Sequence, residues 1–75
     1  MRIARTARRQ FLISAENSSR GTLHITLFDL RGRIMVEHQK SANQAVLDGA
    51  ALPPGIYILH VESDGEYHSS KLLME

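Results

Sequence analysis

Cysteine is absent from this sequence, which excludes disulfides and thiolate metal sites. The lack of cysteine leaves the compartment open, since oxidising locations permit disulfides without requiring them. Tryptophan is also absent, and there are only two Phe and two Tyr, too few for a broad stacking surface for sugars or bases. The two prolines stand together at Pro53 and Pro54. No apolar run approaches the roughly 18 residues that mark a membrane span. At 75 residues the chain holds one small domain. An enzyme cleft of ordinary size would take most of such a core, so catalysis is not expected.

What remains is ordinary for a globular chain, with 43% hydrophobic and 23% charged residues. The net charge of +1 hides an asymmetry. Residues 1–10 carry Arg2, Arg5, Arg8 and Arg9 with no acid, while residues 11–75 hold five basic residues against eight acidic ones, a net −3. The Arg-rich leader has no following apolar core of signal-peptide length, because Phe11-Leu12-Ile13 is too short. Four arginines could neutralise phosphates, but the body offers no second basic patch, so no nucleic-acid partner is expected. Residues 1–8 are therefore read as a disordered basic leader or the cut end of a longer protein. Residues 9–75 are read as the folded domain.

Short alternating runs separated by turn signals dominate the body. Candidate strands cover 9–14, 22–28, 33–39, 44–48, 56–63 and 66–74, with Glu16 to Gly21 as a loop. In Thr22 to Phe28, Leu23, Ile25 and Leu27 share one face, the period of a half-buried strand. Asp29-Leu30-Arg31-Gly32 is a turn with Asp first and Gly last. A bulge at Gly32 would shift the parity of the strands it joins, so that register stays open. Asp64-Gly65 between two alternating runs signals a tight hairpin. A two-residue loop there places Tyr57, Leu59, Val61, His68, Ser70, Leu72 and Met74 on the core face, with His68 at a rim position near the hairpin that leaves it partly wet. No stretch reads as a capped amphipathic helix. The expected fold is all-β, a small immunoglobulin- or fibronectin III-like antiparallel sandwich of six to seven strands.

Leu52-Pro53-Pro54-Gly55-Ile56-Tyr57 reads as a corner. Pro54 fixes its backbone, Gly55 permits a sharp bend, and Leu52 can plug the end of the sandwich. The Tyr57 ring can lie in the core while its hydroxyl returns to the backbone, as in a tyrosine corner. The four histidines are not expected to form a metal site, since His60 and His68 fall on opposite faces, and His24 and His38, which could approach if their strands pair, have no evident third ligand. No nucleophile elbow, phosphate loop or paired-carboxylate cleft is present in the pattern, and no cofactor is expected.

In order, the chain shows Phe28-Asp29-Leu30-Arg31-Gly32-Arg33, a strand ending at Asp48, Leu52-Pro53-Pro54-Gly55-Ile56-Tyr57, and a terminal Lys71-Leu72-Leu73-Met74-Glu75. Over residues 21–75 this combination resembles the C-terminal sorting domains of proteins exported by the type IX (Por) secretion system of Bacteroidota-like bacteria. The resemblance implies a non-catalytic domain, secreted through the periplasm to the outer-membrane surface. Its partners would be the translocon and a sortase-like peptidase. Gly55 and Tyr57 of the corner and Lys71 and Leu72 of the terminus are the recognition residues it points to. Asp29, Gly32, Arg33, Leu52 and Pro54 are the matching structural positions. An exposed sheet edge would serve partner recognition and also allow weak homodimers. The alternative reading is an accessory adhesion or carbohydrate-binding module, for which Tyr67 is the main exposed aromatic.

Overall fold

The computed structural model describes residues 2–15, 22–63 and 65–75. The expected Glu16 to Gly21 loop and Asp64 of the hairpin turn lie outside the described residues. Seven strands are present: β1 (Arg2–Ala7), β2 (Gln10–Ser14), β3 (Leu23–Phe28), β4 (Ile34–Lys40), β5 (Gln44–Asp48), β6 (Gly55–Ser63) and β7 (Glu66–Met74). They form a three-stranded sheet in the order β1-β2-β5 and a four-stranded sheet in the order β4-β3-β6-β7, with antiparallel pairing throughout. The chain crosses between sheets after β2, β4 and β5, which is the connectivity of an immunoglobulin-like sandwich.

Alternation explains the layering. Leu23, Ile25 and Leu27 of β3, and Tyr57, Leu59 and Val61 of β6, face Phe11 and Ile13 of β2 and Ala45 and Leu47 of β5. Leu72 and Met74 of β7 complete this core, with Leu52 packed against its end. The β6–β7 hairpin has the register expected of a two-residue loop, with Ser63 opposite Glu66 and Val61 opposite His68. Leucine 27 pairs with Val36 but Phe28 pairs with Ile34, so a bulge interrupts the β3–β4 ladder. It leaves both Met35 and Val36 half-buried against the core.

One expectation is corrected. Residues 2–7 are a strand rather than a disordered leader. Strand β1 pairs with β2 from Arg2 opposite Ser14 to Ala7 opposite Gln10. Its ladder replaces the apolar alternation that marks the other strands, since Ile3 is its one half-buried side chain. His68 lies on the core side by register, as expected, and its rim position leaves it exposed. Strand β7 is at the sheet edge, and only Leu72 and Met74 near its end are covered. Ser70 beside them is half-buried.

The connection from β5 to β6 is tied to the turn between β1 and β2. Gly49 N–H donates to the Arg9 carbonyl at 2.8 Å, and the Arg9 guanidinium donates to the Leu52 carbonyl. A Cβ at buried Gly49 would lie 2.6 Å from Met74 Sδ and Cε and 3.3 Å from the Arg9 carbonyl. Met74 is itself 1% exposed, so its thioether has little room to move. Gly49→Ala is therefore expected to destabilise the domain by about 1–3 kcal/mol, the usual cost of overpacking. A urea midpoint equal to that of the wild type would contradict this packing.

Candidate recognition face at one end of the second sheet

Three sequence motifs converge through the register of the four-stranded sheet. Phe28, just before the Asp29 turn, pairs with Ile58 of β6, and Ile58 pairs with Lys71 of β7. Phe28 also pairs with Ile34, just after that turn. One step towards the corner, Ile56 pairs with Leu73, and Gly55 pairs with Met74. The turn, the Leu52–Tyr57 corner and the terminal Lys71–Glu75 segment thus lie at the same end.

Parity then separates the terminal motif into two groups. Tyr57 and Leu72 pair directly and are both buried, at 4% and 5% exposure. Lys71 and Leu73 point to the other face, with Ile56, Ile58, Phe28 and Ile34. Leu73 is 50% exposed, Ile34 55% and Ile56 40%, an apolar strip on the outside of a sheet. Contiguous apolar surface of this kind marks interaction sites more often than isolated exposed residues do. Lys71 stands in this strip and makes no hydrogen bond or ion pair among the described residues. Of the candidate recognition residues, Lys71 is displayed, whereas Tyr57 and Leu72 are core. Leu73, Ile56 and Ile34 were not singled out in the sequence, although period-two alternation places them beside Lys71.

The corner has the chemistry its sequence requires. Tyr57 hydroxyl donates to the Pro53 carbonyl at 2.6 Å, four residues back. Gly55 has a φ of 151°, a value L side chains rarely adopt, and this lets Pro54 lead directly into β6. At the opposite end of the outer face, the Tyr67 and His60 rings lie tilted at 5.4 Å, and His60 Nδ1 is 3.3 Å from Ser69 Oγ. His24 and His38 do not meet, because His24 pairs with Gln39 and His38 with Ile25, on opposite faces. Among the described residues no group of His, Asp and Glu could hold a metal ion, and no helix is long and apolar enough to cross a membrane.

Residues 7–75 match a family model described as a secretion system C-terminal sorting domain. The chain belongs to this family. No curated protein matches the chain. The family is the C-terminal sorting signal of type IX secretion, which supports the sorting reading and not the adhesion one. The match spans nearly the whole chain and begins at the last residue of β1.

The turn in this sorting domain is built on one carboxylate. Asp29 Oδ1 accepts from the Arg31 and Arg33 backbone N–H groups, each at 2.9 Å, and Oδ2 accepts from Arg33 Nε at 2.9 Å. Gly32 N–H closes the turn onto the Asp29 carbonyl at 3.0 Å. The backbone N–H of Arg33 and then its guanidinium hold the Asp29 carboxyl below its ordinary value of 3.8. A depressed carboxyl pKa contributes stability that is complete above the unfolded value and is lost as pH falls through the folded one. Asp29→Asn is expected to lower the urea midpoint at pH 7, with the gap to wild type closing below pH 4. A gap of equal size at pH 7 and at pH 2.5 would contradict this origin.

Proposed function

We propose that the outer face at this end of the sheet is what the secretion machinery reads. The observation that carries the proposal is the parity of the last strand. Leu72 and Met74 anchor it in the core, while Lys71 and Leu73 are held outward beside Ile56 and Ile58. A partner of matching chemistry would bring apolar side chains and a carboxylate. The rigid strand beneath reduces the ordering cost of binding. In this reading the domain is non-catalytic and acts by recognition. It directs a cargo protein through the outer-membrane translocon, and a sortase-like peptidase then leaves that cargo at the cell surface or outside the cell. Gly55, Tyr57 and Leu72 serve the signal by fixing the strand that displays it.

Export of a fluorescent cargo tests this. Residues 1–75 are fused to the C-terminus of a signal-peptide-bearing fluorescent protein in a host with a type IX system, and compared with Lys71→Glu/Leu73→Asp. Both substitutions are on the exposed face and should leave the melting temperature within a few degrees of the wild type, as surface changes usually do. The wild-type fusion is expected at the surface or in the medium, and the variant in the periplasm. Equal export of both, with both folded, would contradict the proposed face.

A further inference from the structure

The Arg5 side chain ties β1 to the end of the opposite sheet. It donates from Nη2 to the Leu73 carbonyl at 2.7 Å, and from Nη1 to Glu75 Oε2 at 3.1 Å and to the Arg8 carbonyl at 2.8 Å. Its guanidinium also lies 5.0 Å from the centroid of the Phe11 ring. A planar fork with several donors suits such simultaneous contacts, which a lysine ammonium cannot reproduce. The residues joined are far apart in sequence: Arg5 and Glu75 are separated by 70 positions. They are also at opposite ends of the fold's connectivity, in the first strand of one sheet and just beyond the last strand of the other. Arg5 precedes the region matched by the family, which starts at residue 7.

We infer that Arg5 is a positioning residue for the sorting signal. Strand β1 acts as a strap across the end of the sandwich, and Arg5 holds Leu73 to Glu75 in the register that displays Lys71 and Leu73. The last residues of an edge strand otherwise fray, because they have a neighbour on one side only. The Arg5 fork supplies the second side by taking the Leu73 carbonyl and the Glu75 carboxylate together. The strap itself is lightly anchored, since Ile3 is the one half-buried side chain of β1. The backbone ladder with β2 places the strap, and this guanidinium carries it to the terminus. Exposed ion pairs weaken with salt, so the clamp is salt-sensitive where the core is not.

The inference rests on the reading that the terminal face is the signal, but its first test does not. Amide hydrogen exchange of the full chain is compared for wild type, Arg5→Met, Arg5→Lys and the control Arg8→Met, whose side chain is exposed. Arg5→Met is expected to speed exchange at Leu73, Met74 and Glu75 by about tenfold, the signature of a local opening. Exchange at Leu59 and Val61 should stay unchanged. Arg5→Lys should recover little of the protection, and Arg8→Met should behave as wild type. Unchanged exchange at 73–75, or equal acceleration across the chain, would overturn the clamp. In the export assay Arg5→Met should then lower surface fluorescence several-fold while leaving the melting temperature nearly unchanged. A loosened terminus with undiminished export would overturn the positioning role. If Lys71→Glu/Leu73→Asp is itself exported normally, the reading of the face fails and the exchange result still stands.

Discussion

The double register of β6 is the constraint on which the molecule depends. This nine-residue strand pairs with β3 on one side and β7 on the other, and every alternate side chain from Tyr57 to Ser63 is buried. Because partners across an antiparallel ladder point to the same face, β6 dictates the facing of both neighbours. It sends Leu72 inward opposite Tyr57 and Lys71 outward opposite Ile58. A slip of one residue would bury a lysine and expose Leu72, so the parity of the signal and the integrity of the core are the same requirement. The tyrosine corner fixes where this register starts, by holding the Tyr57 hydroxyl on the Pro53 carbonyl.

Electrostatics braces the same end from both flanks. In the β3–β4 turn, Arg33 Nε meets Asp29 Oδ2 at 2.9 Å, and on the other flank Arg5 meets Glu75 at 3.1 Å. Exposed pairs of this kind are individually weak. Here each is joined by backbone hydrogen bonds to the same charged group, which makes it a geometric restraint as well as an attraction. The two carboxylates are thereby occupied, whereas the Lys71 ammonium has no ion pair among the described residues.

Much of this was legible in the sequence, and the reasons are local. The β6–β7 register followed from Asp64-Gly65 and a two-residue loop, because parity leaves one arrangement with an apolar face. The corner was readable because proline, glycine and tyrosine each impose a distinct backbone or side-chain requirement. Strand β1 was not readable, since Arg-Ile-Ala-Arg-Thr-Ala has no apolar alternation and is held by a ladder and a guanidinium. Parity put His68 on the correct side, and its place near the hairpin marked it as a wet rim position, since nothing covers the first half of an edge strand. The Arg5–Glu75 contact has no local signature, because it arises only when two distant strands are brought together. The bulge between Leu27 and Phe28 is likewise set by how β4 meets the core.

The central claim is that the signal is a face of a folded strand and not a linear tail. Leu59→Asp tests it directly. Leu59 is 0% exposed at the middle of β6, and a buried unpaired carboxylate there should prevent the sandwich from forming. The substitution leaves every residue from Lys71 to Glu75 in place. A fluorescent cargo carrying this variant is predicted to remain in the periplasm at undiminished expression. Export at the wild-type level from a demonstrably unfolded domain would contradict the account.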